Sequence, residues 1–175
     1  MSVLPVRSMG DPVLREKARP VEHFDAALKR LVADMGETMY ERNGVGLAAP
    51  QVGVSSRLFV FDDGDTGPLM LANPEFLDSE GEDERDEGCL SLPGIYFALK
   101  RAQRAKIRGV DLDGRPLEFE GEGLLARIFQ HEMDHIDGVL FVDRLSEGDR
   151  REAMRLLREQ DLGSSVRGTR PSDEL

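Results

Sequence analysis

Apolar residues recur at three- and four-residue spacing over 24–40, where Leu28, Leu31, Val32, Met35 and Met39 fall on one stripe and predict an amphipathic helix. Asp25 is placed to cap its start, and Asn43-Gly44 supplies a stop because both residues tolerate left-handed backbone angles. The period then shortens. The run 58–61, closed by Asp62-Asp63-Gly64, and the run 69–72, closed by Asn73-Pro74, read as strands. The stretch 105–112 alternates well enough for a third strand, and Asp113-Gly114 before 115–120 predicts an antiparallel hairpin whose two turn residues both accept positive φ. Between these, 78–87 is acidic at seven of ten positions and is expected to be a solvated turn or edge.

A second helix is predicted over 124–136, after Gly121 and Gly123. Its apolar positions Leu124, Leu125, Ile128, Phe129, Met133 and Ile136 cover more than one stripe, which suits a central, buried helix. Its polar minority, Arg127, Gln130 and Asp134, marks the one face left to water or polar partners. A third helix is expected over 147–160, and 164–171 has nothing to pack, so residues 163–175 are expected to form a disordered tail behind a single domain at 1–162. No repeat is visible, and strands clustered between helices without regular alternation predict an α+β fold.

Composition narrows the function. With 175 residues the chain is of a size for one core, and 39% apolar against 33% charged residues suits a soluble globular protein. The net charge of −11 makes non-specific attraction to nucleic acid or an anionic membrane a poor expectation. No apolar run approaches the roughly 18 residues of a membrane-spanning helix, and Pro5, Arg7, Asp11 and Pro12 interrupt the segment where a secretory signal would lie. A single cysteine, Cys89, has no internal disulfide partner and fits a reducing, cytoplasmic setting.

His131-Glu132-Met133-Asp134-His135 is the sharpest chemical feature. On a helix, residues four apart differ by roughly 6 Å of rise and about 40° of rotation, so both imidazoles leave one face and can grip one ion. Glu132, one position after the first, is placed to move a proton. A catalytic ion of this kind usually takes three protein ligands, and Cys89 is the soft donor available as the third, beside a glycine, Gly88. The stretch Asn43-Gly44-Val45-Gly46-Leu47-Ala48-Ala49-Pro50-Gln51 reads as a small, flexible loop in which Gln51 offers an amide donor. It lacks the lysine of a nucleotide loop. His23 is taken as an ordinary surface residue.

Gly44-Val45-Gly46-Leu47-Ala48-Ala49-Pro50-Gln51, Glu87-Gly88-Cys89-Leu90-Ser91 and Gln130-His131-Glu132-Met133-Asp134-His135 together resemble the three motifs of the peptide deformylase family, in the family's order. The resemblance implies a small, monomeric, cytoplasmic α+β enzyme in which a central helix is wrapped by antiparallel sheets. It implies hydrolysis of the formyl group of N-formylmethionine by metal-bound water. The partners it implies are nascent N-formylmethionyl peptides, met at the ribosome. Cys89, His131 and His135 would ligate the metal, Fe2+ in cells with Zn2+, Ni2+ or Co2+ able to substitute. Glu132 would be the general base and acid, and Gln51 with the backbone N–H of Leu90 would stabilise the oxyanion.

An apolar pocket for the methionine side chain is expected from Val45, Leu124 and Ile128, which flank the motifs, and an extended peptide is expected to add to a sheet edge near Gly46 or Gly88. Unlike many relatives, the chain has no basic residue after Pro93 until Lys100. Arg127, one turn before His131, faces either solvent or the methionine pocket. Two other readings stand beside the deformylase one: a metal-dependent peptidase, the commoner setting of His-Glu-x-x-His, and a silent metal module that binds nascent chains.

Overall fold

The computed structural model describes residues 2–162, so the tail expected at 163–175 lies outside the described residues. Three helices, α1 (Ala26–Glu41), α2 (Leu124–Ile136) and α3 (Glu147–Asp161), combine with antiparallel sheets in an α+β fold. The strands are β1 (Gly46–Ala48), β2 (Leu58–Asp62), β3 (Pro68–Glu80), β4 (Asp83–Cys89), β5 (Leu92–Arg101), β6 (Arg104–Val110) and β7 (Pro116–Glu122). Five of them form a sheet in the order β1-β2-β3-β6-β7, and β4-β5 is a separate hairpin. No helix among the described residues is long and apolar enough to cross a membrane.

The periodicities explain the layering. Strand β2 is buried on both faces: Phe59 and Phe61 join Ile128, Phe129 and Met133 of α2, while Leu58 and Val60 join Met35 and Met39 of α1. The sheet is therefore held between α1 and α2, and the rings of Phe61 and Phe129 meet edge to face with centroids 5.3 Å apart. A third apolar cluster joins Cys89, Leu92, Ile95 and Leu99 of the hairpin to Leu140, Phe141 and Ala153. Helix α2 packs on the five-stranded sheet and reaches the hairpin through Arg127, His131 and Asp134, which bond Glu87 and Arg101, and the caps are those the sequence suggests: Asp25 accepts from the Leu28 N–H at 3.0 Å, and Asn43 closes α1 at φ 55°.

The structure corrects four expectations. Asn73-Pro74 does not end the second strand. Asn73 takes a left-handed angle, φ 51°, in a bulge, and its amide bonds both the N–H and the C=O of Val21, so β3 continues to Glu80. The acidic run 78–87 is solvated up to Asp86 and partly an edge, since β4 pairs only with β5, but it is strand rather than turn: only the positions around Gly81 turn, and the flanking residues extend β3 and open β4. Many of its carboxylates face basic partners, such as Glu80 with Arg104, while Glu87 points inward and is buried. In the β6–β7 turn only Gly114 has positive φ, because the Asp111 carboxylate accepts from the N–H groups of Asp113 and Arg115 and closes the turn itself. The supposed flexible loop at 43–51 is the buried strand β1 followed by a 3₁₀ turn, Ala49–Val52.

Candidate metal centre

Helix α2 carries His131 and His135 on consecutive turns, with ring centroids 4.9 Å apart, and the end of β4 brings Cys89 against them. The His131 and His135 Nε2 atoms are 3.2 Å apart, and Cys89 Sγ is 3.2 Å from His135 Nε2. All three donor atoms lie within 4.8 Å of one another and all three residues are buried. A four-coordinate cation with bonds of about 2.0–2.3 Å to nitrogen and sulfur holds its ligands about 3.3–3.6 Å apart, so a soft-plus-imidazole donor set at this spacing fits a divalent ion.

The surroundings prepare that set for positive charge. His131 donates from Nδ1 to Glu87 Oε1 at 2.7 Å, which leaves its Nε2 lone pair for the centre. The Ser91 N–H donates to the Cys89 sulfur at 3.4 Å. Burial works against a charged His131, yet the Cys89 sulfur and Glu87 outweigh it and hold its proton well above the usual imidazole range. Burial and the neighbouring charge on His131 push His135 well below that range.

Glu132 is completely buried, and neither carboxylate oxygen has a hydrogen-bond partner among the described residues. Burial, with Glu87 and Asp134 nearby, pushes its carboxyl up to about 7. A methyl group at Gly46 would lie 2.5 Å from Glu132 Oε1 and 3.1 Å from Ile128 Cγ2, so the glycine makes room for this carboxylate. Gln51 is buried and oriented: its Oε1 accepts from the Ala48 N–H at 2.8 Å, which turns Nε2 towards Ser91 Oγ at 3.4 Å and Cys89 Sγ at 3.7 Å. Leu90 follows Cys89 in the turn between β4 and β5, with its side chain over Gly44. The close approach that Gly88 permits is that of the Tyr96 ring.

Val45 and Leu124 are partly buried against the same apolar cluster that contains Ile128. His23 is exposed, as expected. Arg127 reaches neither solvent nor an apolar pocket. It is completely buried, donating to Glu87 Oε2 at 2.7 Å and to the Asp83 carbonyl at 2.8 Å.

Three participants have roles that the pattern of the chain does not assign. Glu87 and Ser91 flank the cysteine motif, where Glu87 also ends the acidic run, and Arg101 sits at the end of a strand the alternation does not reveal. Arg101 grips Glu87 with Nε at 3.1 Å and Nη2 at 2.6 Å, and its Nη1 reaches Asp134 at 2.8 Å. One signal was available: on a helix expected to be central and buried, the charges of Arg127 and Asp134 require partners of opposite sign.

Comparison with known proteins agrees with this geometry. Residues 3–151 match the family model described as Polypeptide deformylase. The chain is 53% identical over 169 residues to a peptide deformylase of Acidothermus cellulolyticus, covering 95% of this chain and 93% of the relative. Its fold superposes on a crystal structure of a peptide deformylase from Legionella pneumophila with a TM-score of 0.88 at 44% identity, over 95% of this chain and all of the other. The enzyme of that name from Thermus thermophilus gives 0.85 at 48% identity, over 93% and 97%.

Proposed function

The chain belongs to the peptide deformylase family and is a hydrolase, and from that premise we propose that it removes the formyl group from N-formylmethionine at the start of new polypeptides, releasing formate. The observation that carries this reading is the convergence of Cys89, His131 and His135 beside a buried carboxylate, Glu132, whose oxygens have no hydrogen-bond partner among the described residues. Cys89, His131 and His135 would hold the cation, Fe2+ by resemblance to the family, with Zn2+, Ni2+ or Co2+ able to replace it. When bound, such an ion supplies Lewis acidity, polarising a carbonyl and making water more acidic.

The rest is the work of the chain's own groups. Glu132 takes the proton of the water that adds to the formyl carbon and returns it to the departing amide nitrogen. Gln51 Nε2, turned inward by the Ala48 bond, and the Leu90 N–H donate to the formyl oxygen as it becomes negative. Strand β1 is an edge of its sheet, so the peptide backbone has a strand to pair with at Gly46, close to Glu132, with Gly88 on the facing hairpin. Val45, Leu124 and Ile128 offer the apolar surface for the methionine side chain. A formyl group carries only hydrogen beyond its carbonyl carbon, so a narrow site rejects acetylated ends. A cytoplasmic monomer acting near the ribosome goes with this reading, because formylated ends arise there.

The test is a formyl-Met tripeptide incubated with metal-loaded protein. Formate is expected with every internal peptide bond intact. Internal cleavage without formate would favour a peptidase, and binding without turnover would favour a silent module.

A further inference from the structure

Behind His131, charges of alternating sign run out to the surface. Arg144 closes the 3₁₀ turn Phe141–Arg144 and lays its guanidinium fork on Asp134, with Nε on Oδ2 and Nη2 on Oδ1, both at 2.6 Å. The same Asp134 Oδ2 accepts from Arg101 Nη1 at 2.8 Å. Arg101 turns its other edge to Glu87, and Glu87 Oε1 accepts from His131 Nδ1. Glu87, Arg101, Asp134 and His131 are all buried, whereas the Arg144 side chain is about half exposed. It borders a cavity of about 420 Å³ that Phe76, Gly81, Arg101, Gln130 and Asp134 also line.

Each buried member of this line needs its neighbours. Arg101 lies between two carboxylates and its place is a compromise between them. Without Arg144, Asp134 Oδ1 loses its charged partner and Asp134 turns towards Arg101 or towards water entering from the cavity. Either movement changes the grip of Arg101 on Glu87. Glu87 is in turn the acceptor that sets the tautomer and ring plane of a ligand.

We infer that Arg144 is a positioning residue for the metal centre. It clamps Asp134, Asp134 seats Arg101, Arg101 seats Glu87, and Glu87 aims the Nε2 of His131. This rests on the metal reading above and adds to it a residue that touches neither metal nor substrate. Lysine is a poor replacement, because a point charge cannot span both oxygens of Asp134.

The experiment compares full-length wild type with Arg144→Ala and Arg144→Lys, and with Arg151→Ala as a control on an exposed ion pair. Zn2+ affinity is measured by chelator competition, and the His131 Nδ1–H resonance is followed in metal-free protein. Partners behind a ligand typically change metal affinity about 10- to 100-fold, and Arg144 stands further back, so about tenfold weaker binding is expected for Arg144→Ala. Partial recovery is expected in Arg144→Lys and no change in Arg151→Ala. The His131 resonance should broaden or shift in Arg144→Ala alone.

If Arg144→Ala lowers the melting temperature while Zn2+ affinity and the His131 resonance stay at wild-type values, Arg144 only fastens its turn to α2 and the inference is overturned. If wild type itself holds no Zn2+, the metal reading fails and this inference fails with it.

Discussion

Gly46 and the Glu132 carboxylate share one space: a Cβ on the glycine would stand 2.5 Å from Oε1 and 3.0 Å from Cδ. The glycine therefore serves the carboxylate rather than loop flexibility. Gly46→Ala is expected to displace Glu132, to cost about 1–3 kcal/mol of stability through overpacking, and to lower the rate of formate release by at least about 100-fold. Bound metal should be retained. Formate release, thermal unfolding and metal content measured together check this, and an unimpaired rate would mean that the position of the carboxylate does not matter.

Glu132→Gln keeps the shape and removes the proton carrier. A loss of about 10²- to 10⁴-fold in kcat is expected at unchanged metal content. Because the buried oxygens of Glu132 have no hydrogen-bond partners among the described residues, a neutral amide is cheaper to bury, and the metal-free variant should melt no lower than wild type. Calorimetry of the metal-free proteins beside turnover assays tests both halves.

Gln51→Leu removes a donor and an acceptor at once. Loss of one oxyanion donor is worth about 10²- to 10³-fold in kcat. The variant also strands the buried Ala48 N–H that Gln51 Oε1 now satisfies, at a cost of about 1–3 kcal/mol. The KM for a formyl-Met peptide is expected to change little. A change confined to KM would assign Gln51 to substrate binding instead.

Asp143 gives an acid-sensitive contact away from the site. Burial opposes its charge, but hydrogen bonds from Arg15 and from the Leu140 N–H, with Arg150 nearby, outweigh burial and hold its carboxyl below the usual range. A carboxyl lowered on folding stabilises the protein above its unfolded value, and that stability disappears as pH falls through the folded value. Because Arg15 is well exposed, Asp143→Asn should cost only about 1 kcal/mol at pH 7. The difference from wild type should shrink as pH falls through the lowered folded value of Asp143, as checked by urea unfolding in the presence of chelator at neutral pH and across an acid series.

Helices α1, α2 and α3 were legible to within about two residues at each end, because long apolar stripes and local caps act over one or two turns. The hairpin β6–β7 was legible for the same local reason. Strands β4 and β5 were not. Their outward faces carry acidic and basic residues that answer one another across the hairpin, as Glu84 with Lys100 in register, and a partner strand leaves no mark on the spacing within one run. The bulge at Asn73 was hidden likewise, since its hydrogen bonds go to Val21, far away in sequence.

The chemistry divides in the same way. Cys89, His131, His135 and Glu132 could be chosen from the chain alone, since a helical turn fixes the spacing of two imidazoles and a lone thiol leaves little choice of third donor. That Glu87 is a buried acceptor and not one more solvated acid, that Arg127 turns inward to meet it, and that Gly46 yields its side-chain volume to Glu132 were decided by packing. Local sequence sets which groups are present and their order on one element. The cost of burying a charge sets which groups on different elements must meet, and that cost exists only once the chain has closed around them.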